Sequence, residues 1–530
     1  MKIVIAEKIS PAAVDLLKEE SKWTVVTPEE IAGKLGEQIA DADALIVRSA
    51  VPVGGELLEK AKKLRVIGRA GVGVDNIDLE AATRHGIAVM NTPGANAVAV
   101  AEHTLALMLA MARQLPRADH STRSGKWEKK SLMGTELRGK TLGIVGLGRI
   151  GMEVARRAQA FGMEVAAHDP FISSAVARER GVKTMSLEEV YAAADYLSLH
   201  VGLTPQTTGM INAAAIAKMK PGVRLINCAR GELVDEAALG EALKSGRVGA
   251  AALDVFAEEP PKGSPLLGLE NVILTPHVAG STREAQEAVG VQIAQQVKEY
   301  LKRGVMQNAV NVPSVSHEEY VEMQPFIVLA ERLGSFLAQS SEGTVEEISI
   351  RYSGRIAEWK TEWLRNGAIL GILKQTVSEK ANLVNAAGIA EERGIRVSEA
   401  RKAHTPAGGA ANVISVLLKT SAEERLAKGT VLHGSAPRLL AVDDIDVEAP
   451  LEKNLIFMRN QDVPGVIGRV GTILGKHQIN IANFSLGRRE RGPGAREAIA
   501  VVHVDGRVPE AVLEELRKIE AVRLARAMRL

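Results

Sequence analysis

Residues 141–169 read TLGIVGLGRIGMEVARRAQAFGMEVAAHD. TLGIV is a short apolar run bounded by a glycine turn, the pattern of a strand buried on both faces. Gly146, Gly148 and Gly151 then form GxGxxG (GLGRIG), directly before a helical pattern, MEVARRAQAFG. The first glycine permits a tight turn, the second lets a pyrophosphate approach the backbone, and the third allows close helix–strand packing. N–H groups at the start of the helix can receive the phosphates without a lysine. Asp169 follows the next apolar run. A carboxylate there suits the two ribose hydroxyls of NAD and repels the extra phosphate of NADP. A turn or helix cap is the alternative role for Asp169. The two features together predict a dinucleotide-binding unit that takes NAD.

The same alternation extends in both directions. Downstream, VAAH near Val165, YLSLH near Tyr196, RLINCAR from Arg224, AALDVF from Ala251 and VILTPH from Val272 read as strands separated by helical segments. Upstream, KIVIA (2–6), ALIV (44–47), LRVIGRAG from Leu64 and IAVMNTP from Ile87 form a smaller series. Both series predict doubly wound parallel sheets. Between them, AVAVAEHTLALMLAMAR (97–113) predicts a long apolar helix, either a buried connector or a subunit-packing element. REAQEAVGVQIAQQVKEYL, from Arg283 to Leu301, predicts a helix stopped by Gly304. If that helix returns to the first sheet, the chain crosses twice between the domains and leaves a hinged cleft.

Residues 320–445 are less legible. A helix from about Met323 to Gln339, a strand near EEISIRY and an AGGAANVIS stretch rich in small residues suggest a mixed α/β module. The last portion is clearer. Strands at 454–459, 479–486, 498–504 and 521–528, with helices at 465–475 and 509–519, give the βαββαβ order of a ferredoxin-like domain.

The 530 residues predict roughly three or four domains at about 150 residues each. Lys and Arg total 66 and Asp and Glu 64, so no global polyanion-binding surface is expected and nucleic acid is not an expected partner. One cysteine excludes a disulfide scaffold and suits a reducing compartment. MKIVIAEKIS turns polar too soon for a signal peptide, and no long uncharged apolar run suggests a membrane span, so a cytoplasmic protein is expected. The histidines lack HExxH or similar ligand spacing, so metal catalysis is not expected. Aromatics are only 3 %, which predicts cores of closely packed aliphatic layers.

Ligands of open α/β sheets collect outside the carboxyl ends of the strands. Arg230, Asp254, Glu259, His277 and Ser281 all fall there. Arg230 can fork two hydrogen bonds onto a carboxylate. His277 can exchange a proton near neutral pH, with a carboxylate such as Glu259 fixing its tautomer. The alternatives are a structural histidine and an Arg230–Glu259 ion pair. Cys228 is expected to line the cleft rather than to act as a nucleophile.

GLGRIG, Asp169, CARG, LDVFAEEP and TPHVAGSTREAQ together resemble the D-isomer-specific 2-hydroxyacid dehydrogenases. With VRSA, GRAGVGVDN, NTPGAN and the two C-terminal modules, the chain resembles that family's long form, which oxidises 3-phospho-D-glycerate. The resemblance implies a substrate domain of about 1–95 and 285–315 enclosing an NAD domain of about 96–284, then an intervening domain (316–450) and an ACT domain (451–530). It implies reversible oxidation at C2 to 3-phosphooxypyruvate, the first step of L-serine biosynthesis. His277 matches the acid–base histidine, Glu259 its orienting partner and Arg230 the carboxylate-holding arginine. Substrate recognition falls on Arg48, Arg69 and Asn96. Cofactor contacts include Gly146, Gly148, Arg149, Ile150, Gly151, Asp169, Cys228, Arg230, Asp254, His277 and Gly280, with Asp254 near the nicotinamide amide. Two departures stand out: Gly202 replaces the family's usual proline in HVGLTPQT, and HVAGST replaces HLGAST.

In the terminal domain, Asp462, Pro464 and Gly465 precede a helix and Asn480 opens a strand. The resemblance implies an amino-acid effector, serine, bound by Asp462, Gly465 and Asn480, with Asn460 at a position where related pockets vary. Dimerisation alone is the other role open to this domain. A homo-oligomer is expected, a tetramer by family. The competing readings are another NAD-dependent D-2-hydroxyacid dehydrogenase and an NAD-sensing binding protein.

Overall fold

The computed structural model describes residues 1–313, 315, 317–376, 381–402, 411–489 and 497–530. The first sheet orders Thr24–Val26, Lys2–Ile5, Ala44–Val47, Val66–Arg69 and Ala88–Met90, with every pairing parallel. Ile3, Val4, Ile5, Leu45, Ile46 and Ile67 are all fully buried. Helices on both faces explain why these strands read as unbroken apolar runs. The edge strand Thr24–Val26 was not expected, because only Val26 in it is buried and no alternation marks it.

The second sheet orders Val272–Leu274, Val248–Leu253, Val223–Asn227, Tyr196–Leu199, Thr141–Val145, Glu164–His168 and Lys183–Thr184, again all parallel. Thr141–Val145 pairs with Glu164–His168 on one side and Tyr196–Leu199 on the other. The strand order reverses there, which opens a crevice at the carboxyl ends.

Helix Ala97–Arg113 enters this second sheet's domain and packs on helix Arg149–Ala160. Helix Arg283–Arg303 returns the chain to the first. It is capped by Thr282 and stopped by Gly304 at φ 72°. It lies so close to the first sheet that a methyl on Gly68 would come within 2.8 Å of Ile293. Lys298 and Lys302 bond Glu19 and Glu20 of the neighbouring segment at 2.9 and 2.7 Å.

Beyond Gly304, helix His317–Ser340 begins earlier than expected and contains Pro325. It packs with helix Glu362–Thr376 against a sheet ordered Arg396–Lys402, Val345–Ser353, Val413–Thr420, Glu424–Leu432, Ala436–Val442 and Ile445–Pro450. The first pair is parallel and the others antiparallel. This sheet was legible only in part, although VISVLLKT alternates regularly between buried and half-buried positions. Residues 403–410, including the first part of AGGAANVIS, lie outside the described residues.

The C-terminal sheet is ordered Ile481–Arg488, Glu497–Val504, Asn454–Gln461 and Val522–Arg529, all antiparallel, with helices Val466–Lys476 and Glu510–Arg517. The expected βαββαβ order is present. The helices cover one face. The other packs on the preceding domain, where Gly487 lies so near Asp446 that a methyl would meet its carbonyl oxygen at 2.3 Å.

One apolar cluster runs without a break from Ile3 and Ile46 through Ile293 and Tyr300, then Phe336 and Val416, to Phe457 and Val501. The two faces of the second sheet form separate clusters. The cores are largely aliphatic, as the composition predicts. Rings nevertheless gather on helix His317–Ser340, where Tyr320, Phe326 and Phe336 stack edge-on against Trp363, Trp359 and Phe457. Of these, Phe336 against Phe457 spans the junction with the C-terminal domain. Among the described residues, no helix is long and apolar enough to cross a membrane.

Candidate active site

Gly146 leaves the strand Thr141–Val145 with φ 94°, a conformation open to glycine. A methyl on Gly151 would stand 2.2 Å from the Gly146 carbonyl oxygen, so helix and strand touch there through backbone. A methyl on Gly148 would meet nothing within 4 Å. The turn therefore presents a bare face at the start of helix Arg149–Ala160, which suits a pyrophosphate. Asp169 accepts the Leu147 N–H at 2.7 Å and the Phe171 N–H at 2.8 Å. It thus braces the turn, and each carboxylate oxygen keeps a further lone pair for a ribose hydroxyl. Arg149 reaches across to the Pro93 carbonyl and Gly94.

A cleft of about 780 Å³ opens between the two parallel sheets. Arg48, Arg69 and Asn96 line one wall; Ile150, Cys228, Arg230, Asp254, Glu259, His277 and Gly280 line the other. His277 Nδ1 stands 2.7 Å from Glu259 Oε2, and Glu259 Oε1 accepts the Phe256 N–H at 3.1 Å. With Glu259 accepting a hydrogen bond from Nδ1–H, Nε2 is left as the basic nitrogen.

His277 has φ 55°, a left-handed conformation for a side chain-bearing residue. Asp254 holds it. The Asp254 carbonyl accepts the His277 N–H at 2.8 Å, and its carboxylate accepts the Thr275 hydroxyl and the N–H groups of Val278 and Ala279 at 2.5, 2.9 and 2.8 Å. His103 Nε2 lies 3.5 Å from the same carboxylate. Burial alone pushes this carboxyl up, but those donors together hold it below the usual range. Asp254, expected beside the nicotinamide amide, is thus engaged by the turn that carries His277. The HVAGST order fits this turn. Ala279 is buried in the core, and a methyl at position 280 would crowd the Asn96 amide at 3.1 Å.

Arg230 and Glu259 do not form the ion pair considered as an alternative. Arg230 Nε donates to Asp75 Oδ2 at 3.1 Å, Nη2 stands 3.1 Å from the same oxygen, and Nη1 donates to the Ala229 carbonyl at 2.7 Å. Arg69 folds over Gly71, and its buried Nε has no hydrogen-bond partner. Burial first, then the Arg230 charge, makes its proton easier to lose than usual. The Arg48 guanidinium makes a long bond to the Lys8 carbonyl at 3.4 Å. Three cationic groups thus face one cleft, which favours an anion with more than one negative group.

Burial pushes the Cys228 thiol up to about 12 and the His200 imidazole down to about 4. Neither group is charged near neutral pH. Sequence reasoning missed Asp75, which lies within GVGVDN, and His103, a lone histidine on an apolar helix. The cleft shows what Asp75 faces, and the contact with Thr275 and Asp254 shows it for His103.

The proposed effector residues make separate contacts. Asp462 lies 3.5 Å from Arg488, Asn480 donates to Asp505 at 2.7 Å, and Gly465 caps helix Val466–Lys476 at φ 89°. Asn460 is buried, with its side-chain oxygen unpartnered.

Residues 105–279 match the family model for the D-isomer specific 2-hydroxyacid dehydrogenase NAD binding domain. Residues 322–443 match the D-3-phosphoglycerate dehydrogenase intervening domain, and 454–521 the ACT domain. The chain is 41 % identical to D-3-phosphoglycerate dehydrogenase of Archaeoglobus fulgidus over 98 % of both sequences. It is 39 % identical to the enzyme of that name from Bacillus subtilis, over 98 % of this chain and 97 % of the other. Among solved structures, D-lactate dehydrogenase from Aquifex aeolicus complexed with NAD and lactic acid superposes with a TM-score of 0.53. It is 31 % identical, covering 59 % of this chain and 100 % of that one. With matches along its whole length and a turn shaped for a dinucleotide, the chain belongs to the D-3-phosphoglycerate dehydrogenase family of NAD-dependent 2-hydroxyacid dehydrogenases.

Proposed function

We propose that this chain reversibly oxidises 3-phospho-D-glycerate at C2 to 3-phosphooxypyruvate, the first step of L-serine biosynthesis. NAD supplies the hydride acceptor. The observation that carries the reading is the cleft itself, where the His277–Glu259 pair faces three arginines contributed by both domains.

In this reading His277 Nε2 takes the hydroxyl proton as the C2 hydride leaves and the C–O bond becomes a carbonyl. Glu259 holds the ring by Nδ1 and offsets the charge it gains. Arg230 binds the substrate carboxylate and polarises the C2 oxygen. Arg48 and Arg69 receive the phosphate, and Asn96 fixes the substrate edge beside Gly280. Asp169 binds the adenosine ribose; Gly148, Arg149 and Ile150 line the pyrophosphate and Cys228 the nicotinamide pocket. Domain limits of about 1–95 with 285–315, 96–284, 316–450 and 451–530 belong to the same reading.

An NADH assay over 2-hydroxy acids with and without a phosphate tests the substrate. The phosphorylated acid should win by kcat/KM. An unphosphorylated acid used equally well would favour another D-2-hydroxyacid dehydrogenase. No NAD reduction with any acid, by folded protein that binds NADH, would favour an NAD-sensing protein.

The ACT domain supports regulation by a small ligand, and we propose L-serine at Asp462, Gly465 and Asn480. The proposed assembly is a cytoplasmic homotetramer, testable by light scattering. Equal rates with and without millimolar serine would remove the effector proposal alone.

A further inference from the structure

Asp75 lies on the loop after Val66–Arg69 in the first sheet's domain, whereas Arg230 follows Val223–Asn227 in the second. Their 3.1 Å contact therefore bridges the cleft. A guanidinium carries five N–H groups in a rigid plane. Asp75 takes the Nε–Nη2 edge and the Ala229 carbonyl takes one Nη1 proton. One N–H on each of Nη1 and Nη2 remains, enough to meet the two oxygens of one carboxylate. The loop is shaped around this arrangement. A methyl on Gly73 would stand 1.9 Å from Arg230 Nη2 and 2.6 Å from Asp75 Oδ2.

We propose that Asp75 is a positioning residue for Arg230: from the opposite domain it fixes the guanidinium so that a single fork faces the substrate carboxylate. Because the two residues belong to different domains, approach of the domains and presentation of the fork become one event. The anionic partner also offsets one of three cationic charges in the cleft, which keeps Arg230 from turning toward the phosphate end. The inference rests on the proposed role of Arg230 in holding a 2-hydroxy acid.

The test uses the full chain and whichever 2-hydroxy acid the wild type oxidises, so a wrong substrate assignment does not affect its outcome. D75N should raise KM for that acid at least about 10-fold, as expected when a charge-assisted contact is lost. Its NADH Kd, read by fluorescence titration, should stay within about 2-fold, since the Gly146–Gly151 turn and Asp169 that take the dinucleotide are unchanged. D75E should recover part of the loss. G73A should reproduce the KM effect by displacing the guanidinium. In the R230K background, D75N should add little, because the partner it positions is gone. An unchanged KM in D75N would overturn the proposal. A lowered KM would overturn it too, since Asp75 would then be competing with the substrate carboxylate. Equal damage to KM and NADH binding in both D75N and G73A would make the contact merely structural, and would overturn it as well.

Discussion

His277 and Glu259 meet at 2.7 Å across loops that follow two neighbouring parallel strands, Val272–Leu274 and Val248–Leu253. Leu274 is in register with Leu253, so both loops leave the sheet at the same level. His277→Ala should cut turnover at least about 100-fold and leave NADH binding nearly intact. Glu259→Gln keeps an acceptor for Nδ1 but removes the charge, so a smaller loss of about 10-fold is expected. Steady-state rates with NADH titration check both. Near-normal turnover in His277→Ala would remove it from the chemistry.

Asp169 is both a brace and a selector. Asp169→Ala frees the Leu147 and Phe171 N–H groups and removes the charge that opposes a 2′-phosphate. NADH should bind at least about 10-fold more weakly and the preference over NADPH should shrink. Titrating both nucleotides measures it; an unchanged selectivity ratio would leave Asp169 as a turn brace only.

The glycines of the turn should separate by function. Gly148→Ala places its methyl in open space, so thermal stability should hold while NADH affinity falls about 10-fold. Gly151→Ala drives a methyl into the Gly146 carbonyl, and about 3 kcal/mol of stability should be lost. Calorimetry and NADH titration on the pair distinguish them. Equal stability loss in both variants would contradict the packing described.

His200 predicts a pH dependence. Its imidazole is pushed down to about 4 by burial, from 6.5. The unfolded chain therefore takes up a proton as pH falls through about 6.5, while the folded form does so only near 4. Stability is lost across that window, at most roughly 3 kcal/mol from this group. His200→Asn should flatten the fall in Tm between pH 6.5 and 4; parallel curves would show that other groups dominate.

Where a function needs neighbouring residues, the sequence was informative. GLGRIG and Asp169 lie within one βαβ unit, and their geometry follows from strand, turn and helix period alone. The βαββαβ order at the C-terminus was legible for the same reason. The intervening sheet was harder, because a strand such as VISVLLKT alternates in burial while its residue types do not, and its helix has an internal proline. Rings were expected to be rare in the cores, yet Phe336 on helix His317–Ser340 stacks on Phe457 across the junction with the C-terminal domain.

The sequence by itself determined the cofactor turn, the alternation that builds two parallel sheets and the residue types at the strand ends. These depend on local backbone geometry and on periodic burial, both of which the chain encodes over a few residues. Tertiary structure alone decided the partners. Arg230 turns to Asp75 rather than Glu259, Asp254 holds the His277 turn, and the half-buried Arg69 keeps its Nε without a hydrogen-bond partner. Each contact joins segments distant in sequence, often from different domains. Charge pairing at such range is set by how sheets and loops pack, which no short window of sequence contains.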